Sequence, residues 1–268
     1  MIILFLSLSC SKREPFSFVQ MCDTQLGMGG YEHDVRMFEQ AVKQINDLNP
    51  DFVVICGDLV HNAVDSSFAD FNRIKKGFNM PCYPVPGNHD VGNKPDAKSL
   101  AYYRKTIGND YYAFENKGVS IVMTNTQLWK VDVKEESEKH HQWFETTLND
   151  LGKQDLESFV IGHYPIFLKT PDEEEQYFNL PLVKRERILE LFKKNKVKAY
   201  LSGHKHETLI NAVDDIQFVS GETTSKNFDG RPMGFRLWNV SLDSLKHEFV
   251  PLTYVFLVSK LKTDRLKQ

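Results

Sequence analysis

Cysteine is scarce in this chain, long apolar runs are missing, and neither sign of charge is gathered into a block. There are four cysteines in 268 residues, Cys10, Cys22, Cys56 and Cys82, and no two form a C-x-x-C pair. That removes a structural zinc site of the paired-cysteine type, and so few cysteines argue against a disulfide framework in a core-forming chain. Cys22 and Cys56 close apolar runs, where a buried free thiol acting as a small hydrophobe is expected. Lys and Arg number 33 against 36 Asp and Glu, scattered rather than clustered, for a net charge of -3. No basic stripe offers itself to a phosphate backbone, so no nucleic-acid partner is expected. Internal repeats, low-complexity blocks and linkers are also lacking. What remains is 41% hydrophobic and 26% charged, ordinary for a globular protein, and a chain of this size buries roughly three quarters of its unfolded surface.

The first apolar run, MIILFLSLS, covers only residues 1–9, far short of the ~20 residues needed to span a bilayer. It resembles the apolar region of a secretory signal, with small residues ahead of Cys10-Ser11-Lys12. In particular it resembles a bacterial lipoprotein signal, in which Cys10 is lipidated after cleavage. No basic residue follows Met1, however, and Ser7 stands where Leu is usual. Residues 1–12 are therefore read as a lipoprotein signal or as a disordered N-terminus. The location that follows is the cell envelope or periplasm, with Cys10 the sole membrane attachment, or else the cytoplasm. Residues 253–268 form a tail in which Tyr254 to Val258 is either an edge strand or a short amphipathic segment.

Between these ends, residues 13–252 read as one domain. Phe16 to Met21 is a strand, followed by a Gly-rich loop at Gly27-Met28-Gly29-Gly30. Val35, Phe38, Val42, Ile45 and Leu48 recur at helical spacing over Asp34 to Leu48, and Asn49-Pro50 stops that helix. FVVIC, after Asp51, is a continuous apolar run between helices, the mark of a strand buried on both faces. A helix over Ser66 to Lys76 and the strand CYPV follow, then a helix over Asp96 to Ile107. Tyr111 to Phe114 and Val119 to Thr124 pair as a hairpin. Helices are expected at Gln142 to Leu151 and Leu182 to Lys194, and strands at Ser158 to Ile161 and Val197 to Leu201. From Glu207 onward the pattern turns to strands, with Phe235 to Val240 and Leu245 to Val250 alternating. This predicts an α/β fold, a βαβ half and a more β-rich half stacked as a sandwich with helices outside.

Five polar clusters follow directly on the apolar runs: Asp23-Thr24-Gln25, Gly57-Asp58, Gly87-Asn88-His89-Asp90, Gly162-His163 and Gly203-His204-Lys205-His206. In open α/β sheets the loops leaving the carboxyl ends of strands converge on one crevice. There, Asp23, Asp58, Asn88, His163, His204 and His206 would bring carboxylate, amide and imidazole donors together. Imidazole suits zinc and iron, and carboxylate and amide oxygen also admit manganese. A dinuclear metal centre is the expectation.

These clusters, in this order, resemble the motif series of the calcineurin-like metallophosphoesterases over about residues 16 to 250. Gln25, the Gly92-Asn93 pair and Tyr177-Phe178-Asn179-Leu180 are similar to that family's calcineurin-like phosphoesterase domain-containing protein 1 branch, whose members are described as serine/threonine phosphatases. The resemblance implies a four-layer αββα sandwich of two mixed β-sheets flanked by helices. It implies Asp23 and His206 on a first metal, Asn88, His163 and His204 on a second, and Asp58 bridging both. Where the family has His, this chain has Gln25, read either as a metal ligand through its neutral amide oxygen, which makes a looser first site, or as a hydrogen-bond donor beside the ligands. The two divalent ions would be manganese, iron, zinc or magnesium. The implied reaction is hydrolysis of a phosphate monoester by direct attack of a metal-bridging hydroxide. His89 would donate the proton to the leaving group, with Asp90 as the carboxylate that holds its tautomer. Asn88, His89 and Arg231 would contact the substrate, a small molecule or a phosphoprotein. A phosphodiesterase acting on nucleotides or phospholipid headgroups is the alternative, and a non-catalytic binding module on the same fold a further one.

The remaining polar residues carry plainer readings. His33, His61, His140, His141 and His247 are assigned surface or structural roles. Arg231 is read either as a phosphate contact or as a solvated turn residue. Glu173 to Glu175 are read as a solvated face of the loop Thr170 to Pro181, or as a lip that repels acidic substrates.

Overall fold

A computed structural model describes residues 14–253; Cys10 and the segment Tyr254 to Val258 lie outside the described residues. The order is β1 (Phe16–Met21), α1 (Tyr31–Leu48), β2 (Phe52–Cys56), α2 (Asp65–Lys75), β3 (Cys82–Val85), α3 (Asn88–Val91), α4 (Ala97–Thr106), β4 (Tyr112–Asn116), β5 (Val119–Met123), α5 (Gln127–Lys130), α6 (Lys134–Lys153), β6 (Ser158–Ile161), α7 (Leu182–Lys194), β7 (Val197–Ser202), β8 (Leu209–Val213), β9 (Ile216–Ser220), β10 (Gly234–Val240) and β11 (Leu245–Pro251). One sheet has the order β11-β10-β1-β2-β3 and the other β4-β5-β6-β7-β9-β8. Both are mixed: β1, β2 and β3 are parallel, as are β5, β6, β7 and β9; antiparallel strands β10 and β11 close one side of the first sheet, and antiparallel β4 and β8 form the two edges of the second.

Strand periodicity sorts the apolar residues into layers. Along β2, Phe52, Val54 and Cys56 enter the core between the sheets, while Val53 and Ile55 face the helices. On that outer face Phe38 and Ile45 of α1 and Phe68 and Phe71 of α2 cover the first sheet. Phe144 and Leu148 of α6 and Ile188 and Phe192 of α7 cover the second. The result is the four-layer αββα sandwich. At the centre Phe18 lies between Phe52 and Trp238, with ring centroids 5.0 and 5.7 Å away. Burying one such side chain stabilises the fold by ~1.5–3 kcal/mol relative to exposure. Gln20 is the one fully buried polar side chain in β1, and it is satisfied there. Its Oε1 accepts from Trp238 Nε1 (3.0 Å), and its Nε2 donates to the carbonyls of Ser202 (3.1 Å) and Val219 (3.0 Å), tying the sheets together.

Helix α6 starts eight residues before the expected Gln142. Its inward stripe there is Ser137 and His140, polar residues that hide the helical period. The β8–β9 hairpin gives the strand-rich end its form.

Candidate metal centre

Each polar cluster follows the carboxyl end of a parallel strand: Asp23 after β1, Asp58 after β2, Asn88 after β3, His163 after β6 and His204 after β7. The backbone must turn sharply there to aim a side chain back over the sheet. Asp23, Gln25, Asp58, His204 and His206 accordingly take positive φ, at 47°, 30°, 48°, 67° and 54°. Such conformations are uncommon for non-glycine residues, and they persist only where surrounding contacts over-determine them. Two glycines make the close approach feasible. Gly57 has φ 79°, and a Cβ there would lie 2.6 Å from His163 Nδ1. A Cβ on Gly87 would run into the carboxylate and backbone nitrogen of Asp58.

Two sets of ligand atoms converge. Asp58, His163 and His204 form one group and Asp23, Asp58 and His206 the other, the atoms of each lying within 4.8 Å of one another. All five residues are buried and Asp58 belongs to both groups. Asn88 joins the first through Oδ1, 3.0 Å from His163 Nε2. His163 Nδ1 donates to the Cys56 carbonyl (2.8 Å) and His206 Nδ1 to the Lys226 carbonyl (2.6 Å). With those protons committed, Nε2 of each ring is the free donor atom, aimed at a carboxylate 3.4 Å away. Two atoms are left over: His204 Nε2 and Gln25 Oε1 are buried with no hydrogen-bond partner. Buried polar atoms are rarely orphaned, and a cation would satisfy both. The donor set of carboxylates, imidazoles and amides therefore fits two divalent cations sharing Asp58.

The electrostatics agree. Burial would raise the Asp58 carboxyl, but His163, His89 and His204 around it overcome that and hold it well below the ordinary carboxylate range. Burial opposes charge on His163 too, and the Asp58 carboxylate more than offsets it, pushing the imidazole up to about 9; the proton this puts on Nε2 is the one a cation would displace to gain the ring as a ligand. His204 is driven the other way by burial and by His163, so it stays neutral, the form that ligates a metal.

Asp90 requires a correction. Its carboxylate does not hold His89. It accepts from the backbone N–H groups of Leu59 (2.9 and 3.1 Å), Val60 (3.2 Å) and Gly87 (2.8 Å), clamping the Asp58 loop to the Asn88 turn. Burial and the Asp58 charge push it up to about 8 against those bonds. The His89 ring is oriented instead by the His61 carbonyl, 2.9 Å from Nδ1, and by the His61 ring, stacked on it at 4.7 Å. His61 is thus no bystander, and its own Nδ1 is buried without a partner. Its position, three residues after Asp58 in the same turn, was the available signal.

Other assignments divide. Gln25 reaches the cluster, with Nε2 3.5 Å from Asp58 Oδ2. Arg231 is half-exposed on a turn and pairs with Asp229 (3.5 Å) and Glu222 (3.8 Å). His140 is fully buried, bonded through Nε2 to Thr124 Oγ1 at 2.8 Å, a structural role. Glu173 is a correction: rather than facing solvent, it accepts from the amides of Leu168 (2.7 Å) and Lys169 (2.8 Å) and from Asn179 Nδ2 (2.7 Å). Tyr177 and Phe178 stand over His204, with ring centroids 5.1 and 5.4 Å away. Phe228 stacks on His206 at 4.7 Å.

A family model described as calcineurin-like phosphoesterase matches residues 16–208. Over 260 residues the chain is 33% identical to serine/threonine-protein phosphatase CPPED1 of Danio rerio, covering 88% of this chain and 84% of that protein. The Homo sapiens protein of the same name is 30% identical over 264 residues, covering 89% and 84%. Among solved structures, a dimetal phosphatase from Danio rerio shares the fold with a TM-score of 0.69 at 13% identity, over 89% of this chain and 96% of that one.

Proposed function

The chain belongs to the calcineurin-like phosphoesterase family, and from that premise we propose that this metal-dependent phosphoesterase hydrolyses phosphate monoesters, phosphoserine and phosphothreonine among them. Relatives named serine/threonine phosphatases, aligned over most of both chains, support the monoester reading against the diester one. One observation carries the mechanism: Asp58 is common to both groups of ligand atoms. On this reading Asp23, Gln25 and His206 complete one cation site, and Asn88, His163 and His204 the other. The imidazole-rich second site suits zinc or iron, and the oxygen-rich first site manganese or magnesium.

Two such cations, when bound, supply charge neutralisation for the phosphoryl group and an acidified water. The chain's own residues do the rest. The shared Asp58 sets the spacing of the two sites, and its carboxylate is fixed by the His89 backbone N–H at 2.8 Å. His89 keeps its Nδ1 proton on the His61 carbonyl, so Nε2 is the atom from which a proton leaves for the departing alkoxide. A positioned acid of this kind contributes ~10²–10⁴-fold. The catalytic unit is the domain of residues 13–252. The apolar run ending at Cys10 supports attachment of that domain to the cell envelope through a lipid, which the mass of the native N-terminus tests.

Metal stoichiometry and turnover test the site together. After stripping with a chelator and titration with Mn²⁺, the wild type should take up two equivalents and hydrolyse p-nitrophenyl phosphate faster than bis-p-nitrophenyl phosphate. His206→Ala should lose one equivalent, and Asp58→Asn should weaken both. A single equivalent in the wild type would sink the dinuclear reading, and a preference for the diester would sink the monoester one.

A further inference from the structure

The loop between β6 and α7 is held far more firmly than its acidic, polar composition suggests. Arg185 of α7 is fully buried. Its Nη1 donates to the carbonyls of Pro171 (2.7 Å) and Glu173 (2.8 Å), and its Nη2 to that of Leu180 (2.9 Å). Lys130, at the end of α5, donates through Nζ to the carbonyls of Gln176 (2.8 Å) and Asn179 (2.7 Å). Two cations thus bracket the stretch Gln176–Asn179 from below, and Glu173 ties its flanks.

From this frame Tyr177 projects towards the metal centre. It remains 51% exposed, so the frame does not depend on burying it. Its hydroxyl is 3.4 Å from Asn88 Nδ2 and 3.5 Å from Asn93 Oδ1. Asn88 has turned its Oδ1 to the cluster and its Nδ2 outward, so the amide and the phenol stand side by side at the edge of the Asp58–His163–His204 group. Both contacts of the hydroxyl are at the long limit of a hydrogen bond. The phenolic proton can therefore be redirected to an incoming acceptor at little cost. A solvent-facing donor on a rigid support, one hydrogen bond from a ligand of the site, is pre-organised for an anion arriving there.

We propose that Tyr177 contacts the substrate, its hydroxyl donating to a non-bridging phosphoryl oxygen of the ester. This rests on the phosphoesterase reading and adds a residue to it. Tyr177→Phe keeps the ring and removes only the donor. In the Mn²⁺-loaded full chain it should raise both KM for p-nitrophenyl phosphate and the inhibition constant of inorganic phosphate about tenfold, the size of one lost hydrogen bond. Mn²⁺ stoichiometry and affinity, and the melting temperature, should stay as in the wild type. Unchanged phosphate affinity in Tyr177→Phe overturns the proposal, and so does a weakened Mn²⁺ affinity with phosphate affinity intact, since that marks a residue acting only on Asn88. A wild type that neither hydrolyses esters nor binds phosphate brings down the phosphoesterase reading itself, a result separable from failure of Tyr177 alone.

Discussion

Replacing Arg185 with Met should unfasten the loop over the metal centre. The guanidinium makes three donations to main-chain carbonyls, at 2.7, 2.8 and 2.9 Å, and each charge-assisted bond is worth ~1.5–3 kcal/mol. The gross loss is not the net effect. Methionine fills much of the same volume without needing hydration, and carbonyls near the surface regain water as the loop opens. Removing one member of a buried charged network typically costs ~3–5 kcal/mol, and the lower half of that range is expected here. At roughly 2–4 °C per kcal/mol for a large domain, the melting temperature should fall by about 6–15 °C. Hydrogen exchange locates the effect. The Leu168 and Lys169 amides, bonded to Glu173, should lose protection, while Val122 and Val160 in the second sheet keep theirs. Arg185→Lys should fall between, because one ammonium cannot span three carbonyls in two directions. A melting temperature within about 2 °C of wild type, with protection at Leu168 and Lys169 unchanged, would refute the claim that Arg185 holds this loop.

Restoring an imidazole at the first site, by Gln25→His, should tighten metal binding at Asp23 and His206 by about tenfold or more, since imidazole outranks an amide oxygen for transition metals; equal Mn²⁺ or Zn²⁺ affinities by calorimetry would show that residue 25 is not a ligand. Burial depresses His140 well below its ordinary value, with His141 and Arg104 adding to the effect, so the unfolded chain takes up a proton below pH ~6.5 that the folded one refuses. Its stability contribution is complete above that pH and lost below it, at up to about 1.4 kcal/mol per pH unit. His140→Gln should flatten the decline in urea stability between pH 6.5 and 5 by that amount, and an unchanged slope would contradict it. His247, lowered to about 4 by burial and Arg236, should leave a residual slope of the same sign, reduced because the ring is only half-buried.

Much of the fold was legible because the central strands are buried on both faces. FSFVQM, FVVIC and SFVI stand out as apolar runs, and so does CYPV, an edge strand whose first two residues are half-buried; the structure gives strands over those same residues. Legibility failed where inward positions are polar. Ser137 and His140 occupy the buried stripe of α6, so its first two turns carry no apolar period. Glu173 departs from its composition for a related reason: composition marks an acid as solvated, but three backbone amides and a buried guanidinium nearby turn this one into a staple. Those partners come from separate stretches of chain, and only the fold brings them together.

At the metal centre the residue types could be read, but their connections could not. Asp90 beside His89 in sequence suggested a carboxylate–imidazole pair, yet α3 points the two side chains apart. Asp90 turns back to the Asp58 loop and His89 turns out to the His61 carbonyl. The backbone was equally hidden. Local propensity favours glycine at positive φ and tolerates asparagine, aspartate and histidine there, so of the five such positions Gln25 departs furthest from the local rule, and the unusual feature is that all five gather at one place. That gathering is informative. Strain at one residue can be an accident of a turn, as at Asn49 or Lys117. Strain at residues that share one cluster and come from three separate loops needs a common cause, and the common demand on them is to aim donor atoms at the same two points. The clustering of positive φ therefore marks the site independently of the motif series, and it includes Gln25 as well as the histidines and aspartates. Gln25 shares that backbone conformation, and it brings its Nε2 to 3.5 Å from Asp58 Oδ2, the carboxylate common to both groups of ligand atoms.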